Sequence, residues 1–211
     1  MAMKFEARRD GMMRKGISDV DSVLTVRELA RLIRLYGIDT TNIEHEPADE
    51  PMAGRSSAAI LAEVSGGLAE GVLRSFHFLK MKKEPDKQIF KKLRSGGIFR
   101  ETTVQVGETE VRVAVVDGLT GLEKLKAALA SGKKYDLVEV MTCTGGCVHG
   151  AGLPFSPSKD EIKSRAKLVY QADDTEAINL PCKSPACINL YEKLLKENSD
   201  IADKKIFYTN F

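Results

Sequence analysis

Cys143 and Cys147 stand three residues apart in the string Glu139-Val-Met-Thr-Cys143-Thr-Gly-Gly-Cys147-Val-His-Gly-Ala-Gly-Leu-Pro154. Gly145 and Gly146 between them let the backbone turn tightly, so both thiols can face one centre. Amide N–H groups of such a loop can also donate to sulfides or anionic ligands. On spacing alone three readings stay open: a pair of structural thiols on a turn, a zinc site, or an iron–sulfur site. Zinc needs two more ligands, from Cys182, Cys187 or a histidine. Met141 is at strand spacing and reads either as core filler or as a neighbour of the bound centre. His149 is the one histidine inside a motif, a proton carrier or a loop residue; His45 and His77 read as surface and helix residues.

The loop must follow a buried strand, and residues 137–141, Leu-Val-Glu-Val-Met, have that composition. Upstream, 102–106 and 110–116 form a hairpin about Gly107, and the second arm, Val-Arg-Val-Ala-Val-Val, is apolar on both faces, which implies burial between two layers. A helix from Leu122 joins that arm to 137–141, opened by the capping box Thr120-Gly-Leu-Glu123 and followed by Gly132. Strand, helix, strand predicts a parallel pair with a crossover. Thr25-Val-Arg-Glu28 caps a helix carrying Val26, Leu29, Ala30, Ile33 and Tyr36 and ending at Gly37, after a strand or turn over 19–25. Residues 38–56 read as a loop. Gly66-Gly67 opens a helix in which Leu68, Val72, Phe76 and Leu79 share the apolar face. Residues 81–100 read as a charged connection with a short helix over 87–93. Helices from Ser158 and over 186–196 complete the chain.

The chain has 211 residues, enough for one large domain or two small ones. A net charge of +2, with no basic run interleaved with aromatics, argues against nucleic acid as a partner. No apolar run approaches the roughly 20 residues of a membrane span, and the first residues lack a secretory apolar core. A cytoplasmic protein is expected.

The sixteen-residue string resembles the third signature of the [FeFe]-hydrogenase catalytic domain, E-x-M-x-C-x-x-G-C-x-x-G-G-G-Q-P. MKFEARRD, DVDSVLTVRELARLI, the SGG-led helix, VRVAVVDGL, YDLVEVM, RAKLVYQAD and the final IFYTNF follow in the family's order. The resemblance implies an α/β fold over 1–211: one lobe of a two-lobed domain, with a small, mostly parallel sheet flanked by helices and 139–154 as the cluster-binding loop. It implies an H-cluster, a [4Fe-4S] cube joined through a cysteine sulfur to a two-iron centre. Cys143 then ligates the cube, and Cys147 ligates it while bridging to the two irons. Met141, Gly145 and Gly146, with Gly66 and Gly67, lie beside the cofactor. Soft thiolates suit such clusters.

Several positions depart from the family. Met1-Ala2-Met3-Lys4-Phe5-Glu6 covers x-x-K-x-x-E of the second signature without its Met-Pro-Cys, and Met3 takes the lysine position, where a thioether cannot donate a hydrogen bond. Lys4 does not inherit that role, and Glu6 matches the signature glutamate. Ala151 and Leu153 stand for Gly and Gln. Ala62-Glu63 replaces Phe-Gly, which implies a rearranged site or a solvent-facing Glu63. Cys182 and Cys187 are additions. These departures are similar to the divergent sensory hydrogenases. The expectation is an H-cluster-binding lobe, inactive in H2 chemistry without an N-terminal half or split partner chain and served by a ferredoxin-type carrier. The alternative is a non-catalytic iron–sulfur or redox-sensing module.

Overall fold

Thr25 and Glu28 form the capping box their spacing predicts: the Thr25 hydroxyl accepts from the Glu28 N–H at 3.3 Å, and the Glu28 carboxylate from the Thr25 N–H at 2.8 Å. In the computed structural model, residues 2–47, 49, 54–94, 96–150, 152–154 and 158–192 are described. They divide into two units, one of residues 1–51, 151–155 and 190–211, the other of 52–150 and 156–189. The IFYTNF tail lies outside the described residues.

The first unit holds α1 (Ala2–Glu6), an antiparallel pair β1 (Met13–Arg14) and β2 (Ile17–Ser18), and α2 (Val26–Leu35). Residues 19–24 form no strand and only bend at Asp19 and Asp21. Lys4 donates to Glu28 at 2.6 Å; with the bonds from Thr25 this lowers the exposed Glu28 carboxyl to about 2. Gly37 follows α2 at φ +65°. The helix has the expected period yet buries none of its side chains.

The second unit contains α3 (Ser57–Leu61), α4 (Gly67–Met81), β3 (Phe99–Val106), β4 (Thr109–Asp117), α5 (Leu122–Ala130), β5 (Leu137–Met141), α6 (Lys159–Thr175) and α7 (Pro185–Asn189). Of the last helix expected over 186–196, residues 193–196 lie outside the described residues. The sheet order is β3-β4-β5. β3 and β4 are antiparallel, pairing Val104 with Val111, while β4 and β5 are parallel, pairing Asp117 with Met141. The sheet is therefore mixed, and only the β4–β5 half is parallel.

β4 is central, which accounts for its apolar residues on both faces. Val111, Val113 and Val115 pack with Ala69, Leu73, Phe90 and Leu93, while Ala114 and Val116 pack with Leu125. α3 has no counterpart among the elements expected from sequence, and β3 begins at Phe99 rather than 102. The 81–100 segment does more than connect. Its 3-10 helix Lys87–Arg94 buries Phe90 and Leu93 completely or nearly so, each worth about 1.5–3 kcal/mol of transfer free energy. The second capping box does not form, because Leu119–Gly121 is a 3-10 turn and α5 starts with no side-chain cap. Among the described residues no helix is long and apolar enough to cross a membrane.

α4 corrects the expectation most. Leu68, Val72, Phe76 and Leu79 do share a face, but it is exposed, at 38–56%. The buried face carries Ala69 and Leu73 together with Glu70 and Arg74, both 1% exposed or less. Arg74 donates to both Asp173 oxygens at 2.7 and 2.8 Å and to Glu70 at 2.5 Å. Arg94 donates twice to Glu70 at 2.7 Å, and Ser57 to Asp173 at 2.5 Å. Lys87 reaches Asp173 at 3.2 Å. Burial alone would raise the Asp173 carboxyl, but the Arg74 and Ser57 bonds and the charges of Arg74 and Lys87 outweigh it and hold it well below the usual carboxylate range.

A depressed folded pKa means that the contribution of Asp173 is complete above the unfolded value of about 3.9 and declines as pH falls below it. Urea denaturation from neutral pH down to about pH 2 should show that loss. Asp173→Asn should lack this part of the pH dependence and start about 3–5 kcal/mol less stable, since it leaves the Arg74 charge buried without its main partner.

Candidate metal centre

Because β4 and β5 are parallel, their C-terminal ends emerge together, the position where open parallel sheets place ligands. The Gly118 N–H donates to the Met141 carbonyl at 2.9 Å and closes the two strand ends. After Met141 the chain turns through Gly145 and Gly146, at φ +81° and +82°, conformations that favour glycine.

Main-chain and carboxylate acceptors hold this turn. Gly145 N–H donates to Asp117 Oδ1 at 2.6 Å and Gly146 N–H to the Cys143 carbonyl at 3.0 Å. The Glu63 carbonyl receives Cys147 N–H at 2.7 Å, and Val64 bridges to Gly146. A Cβ on Gly146 would lie 2.5 Å from that carbonyl and 3.0 Å from Met141 Cε, so half-buried Met141 packs beside the loop. Val148 anchors the far side, buried with Leu61, Val64 and Val169. His149 Nδ1 lies 3.1 Å from the Thr144 carbonyl and helps to fasten the turn.

Both thiols remain exposed. Partial burial, then the charges of Glu63 and Cys143, push the Cys147 thiol up. A bound cation opposes that shift and releases the proton. Glu63 itself is exposed, one of the two outcomes its sequence position allowed.

Gly66 and Gly67 are both buried at the start of α4, where the Leu93 and Leu61 carbonyls occupy the space a Cβ would need. Gly66 N–H and Ala69 N–H donate to the two oxygens of buried Glu139 at 2.6 and 2.8 Å. β5 thereby caps α4. Sequence reasoning missed Glu139 and Asp117 as loop supports. Their signal is an acid set against an apolar run: Glu139 is the one acid of β5, and Asp117 follows the apolar residues 113–116 of β4. Arg100, nine-tenths buried, donates to Ser65 at 2.8 Å and lies 3.8 Å from Asp117. Burial lowers its pKa, and the charges of Asp117 and Glu139 oppose that shift.

The remaining candidates stand elsewhere. Cys182 is half-buried and Cys187 exposed, and among the described residues no three of His, Cys, Asp or Glu converge to hold a metal ion. In this structure Cys182 and Cys187 are thus not gathered with Cys143 and Cys147 into one group. In the first unit Met3 is exposed, Lys4 is committed to Glu28, Glu6 accepts from Arg9 at 2.7 Å, and Gly152 packs against Thr25. A [4Fe-4S] cube takes four sulfur ligands, so the chemistry of Cys143 and Cys147 fits the group but supplies half its donors.

Gly146→Ala forces a left-handed angle on a residue with a Cβ and drives that atom into the Glu63 carbonyl. It should cost at least about 1–2 kcal/mol in urea denaturation. Gly150→Ala, at φ −59° with its nearest neighbour at 3.2 Å, should cost less.

Residues 1–151 match the family described as iron only hydrogenase large subunit, C-terminal domain. The NADP-reducing hydrogenase subunit HndD of Solidesulfovibrio fructosivorans is 30% identical over 212 residues, covering 100% of this chain and 36% of that protein. Cytosolic iron-sulfur assembly component 3 of Mus musculus is 27% identical over 212 residues, covering 92% of this chain and 41% of that protein. The chain thus spans well under half the length of these curated relatives. A variant of the [FeFe]-hydrogenase HydA1 from Chlamydomonas reinhardtii has the same fold, with a TM-score of 0.70 at 24% identity over 93% of this chain and 57% of that one. With well over half its residues inside the family match, the cysteine loop among them, this chain belongs to the family of iron-only hydrogenase C-terminal domains.

Proposed function

We propose that this chain is the iron–sulfur-binding C-terminal lobe of a hydrogenase-like protein, with Cys143 and Cys147 as cluster ligands. The observation that carries the reading is the pinned loop itself. Asp117, the Glu63 carbonyl and a buried Val148 fix its backbone while both thiols stay exposed, a shape suited to receiving a cluster rather than to filling a core. The remaining sulfur ligands come from a further polypeptide segment equivalent to the N-terminal half of the family's domain. When bound, the H-cluster supplies heterolytic H2 cleavage and an electron exit toward a ferredoxin-type carrier. The chain's own contribution is to hold the cube at two thiolates, keep Met141 beside it, and cap α4 through Glu139. A cytoplasmic setting is part of this reading.

The second reading is an iron–sulfur module without H2 turnover. It is favoured by the similarity to cytosolic iron-sulfur assembly component 3, and by Met3, whose thioether cannot donate where the family places a lysine.

Anaerobic reconstitution with iron, sulfide and a small thiol to complete the coordination tests the shared core. Cluster absorption and bound iron should be lost in Cys143→Ala and in Cys147→Ala and be unchanged in Cys182→Ala. The reconstituted chain should show no H2 uptake by itself; measurable uptake would overturn the requirement for a second segment. Full retention of iron in both single alanine variants would overturn the ligand assignment.

A further inference from the structure

Asp117 closes β4, and its carboxylate is buried to 7% exposure directly beneath the cysteine loop. Three loop amides, those of Gly145, Gly146 and Cys147, are engaged by protein acceptors: Asp117, the Cys143 carbonyl and the Glu63 carbonyl. Two of these acceptors are main-chain groups. Only the bond to Gly145 is made by a side chain, and that side chain carries charge. The midpoint of the loop is therefore tied to the sheet by the one acceptor that a substitution can remove.

The charge is only partly balanced. Among the described residues the cation beside it is Arg100, 3.8 Å from Asp117 Oδ2, too long for a hydrogen bond. Its guanidinium donates instead to Ser65 at 2.8 Å and the Gly97 carbonyl at 3.0 Å, and its Nε has no hydrogen-bond partner among the described residues. A second buried carboxylate, Glu139, is engaged by the amides of Gly66 and Ala69. The loop thus rests on a buried anion whose counter-charge stands one step away.

We infer that Asp117 is the positioning residue of the Cys143–Cys147 loop, and that its carboxylate lowers the reduction potential of a cluster held there. The inference rests on the reading of those cysteines as cluster ligands. Two effects act together. The carboxylate occupies the Gly145 amide, which therefore cannot donate to a cluster sulfide, and it places negative charge two residues from each cysteine. Cluster potentials follow net charge and hydrogen bonds to sulfur, so both effects favour the oxidised state.

The two components separate in two variants of the reconstituted chain. Asp117→Asn retains an acceptor for Gly145 but removes the charge; it should bind iron as tightly as the wild type, with a more positive midpoint potential. Asp117→Ala releases the amide as well; its cluster should be lost to a competing chelator about 10–100-fold more readily. In the apo chain, hydrogen exchange at Gly145 should be slow in the wild type and in Asp117→Asn and fast in Asp117→Ala. A purely structural carboxylate would leave the potential of the Asn variant unmoved, and that result would overturn the tuning role. Equal exchange at Gly145 in all three proteins would overturn the positioning role, whether or not a cluster binds. If the wild type takes up no iron, the ligand reading fails and the tuning role fails with it, while the exchange measurement still decides positioning.

Discussion

The second unit is organised around three buried charges, Glu70, Arg74 and Asp173, and the partly buried Arg94. Removing ions of this kind from water costs several kcal/mol each, and the cost is offset only when geometry is good and the polar atoms are satisfied. Here the fork of Arg74 meets both oxygens of Asp173, Arg94 holds Glu70 from the other side, and Ser57 takes a remaining lone pair. The partners come from α3, α4, the 3-10 helix Lys87–Arg94 and α6, so one constellation fixes four elements at once. The Arg94 guanidinium also lies 4.5 Å from the centre of the Tyr170 ring, adding a cation–π contact on α6. Once α4 is set, its first turn meets Glu139 on β5, and the strand that precedes the cysteine loop is placed with it.

What is readable in the sequence is what depends on near neighbours or on plain apolarity. The Thr25–Glu28 box involves residues three apart. Gly107 marks a hairpin between two strand-like runs, and the buried run of β4 can only be a central strand. The buried face of α4 escapes such a reading because Glu70 and Arg74, four residues apart, look like a solvated ion pair. Their burial depends on Asp173, 99 residues beyond Arg74, and on Arg94, 24 beyond Glu70. No local pattern carries that information. Thr120 shows the reverse failure: the residue types of a cap are present, but close packing of Gly121 against the Ile98 carbonyl and Val116 holds the chain in a 3-10 turn instead. At the site, the cysteines and glycines announce themselves by type and spacing. Asp117 and Glu139 do not, since the amides they bind come near only in the folded chain: Gly145 through the parallel pairing of β4 and β5, Gly66 and Ala69 through the packing of α4 against β5.

The chemistry of the loop follows from dividing two tasks. Backbone groups and buried side chains supply its shape, which leaves the thiols free of any structural duty. Their exposure is thus compatible with a well-defined geometry, and a pair of sulfurs can be presented at the end of a sheet without a closed pocket around them. The same division leaves the donor set at two, so a four-sulfur cluster on this loop must share its coordination with another source of ligands.

The anchor at Glu63 has one more consequence. Cys147 is received by the carbonyl of residue 63, not by its side chain. Any amino acid at that position offers the same acceptor, so the loop's geometry places no demand on what the side chain is. Position 63 is thereby open to sequence drift, and a carboxylate can replace a smaller or apolar residue beside the thiols and alter the local charge while the fold around them stays as it was.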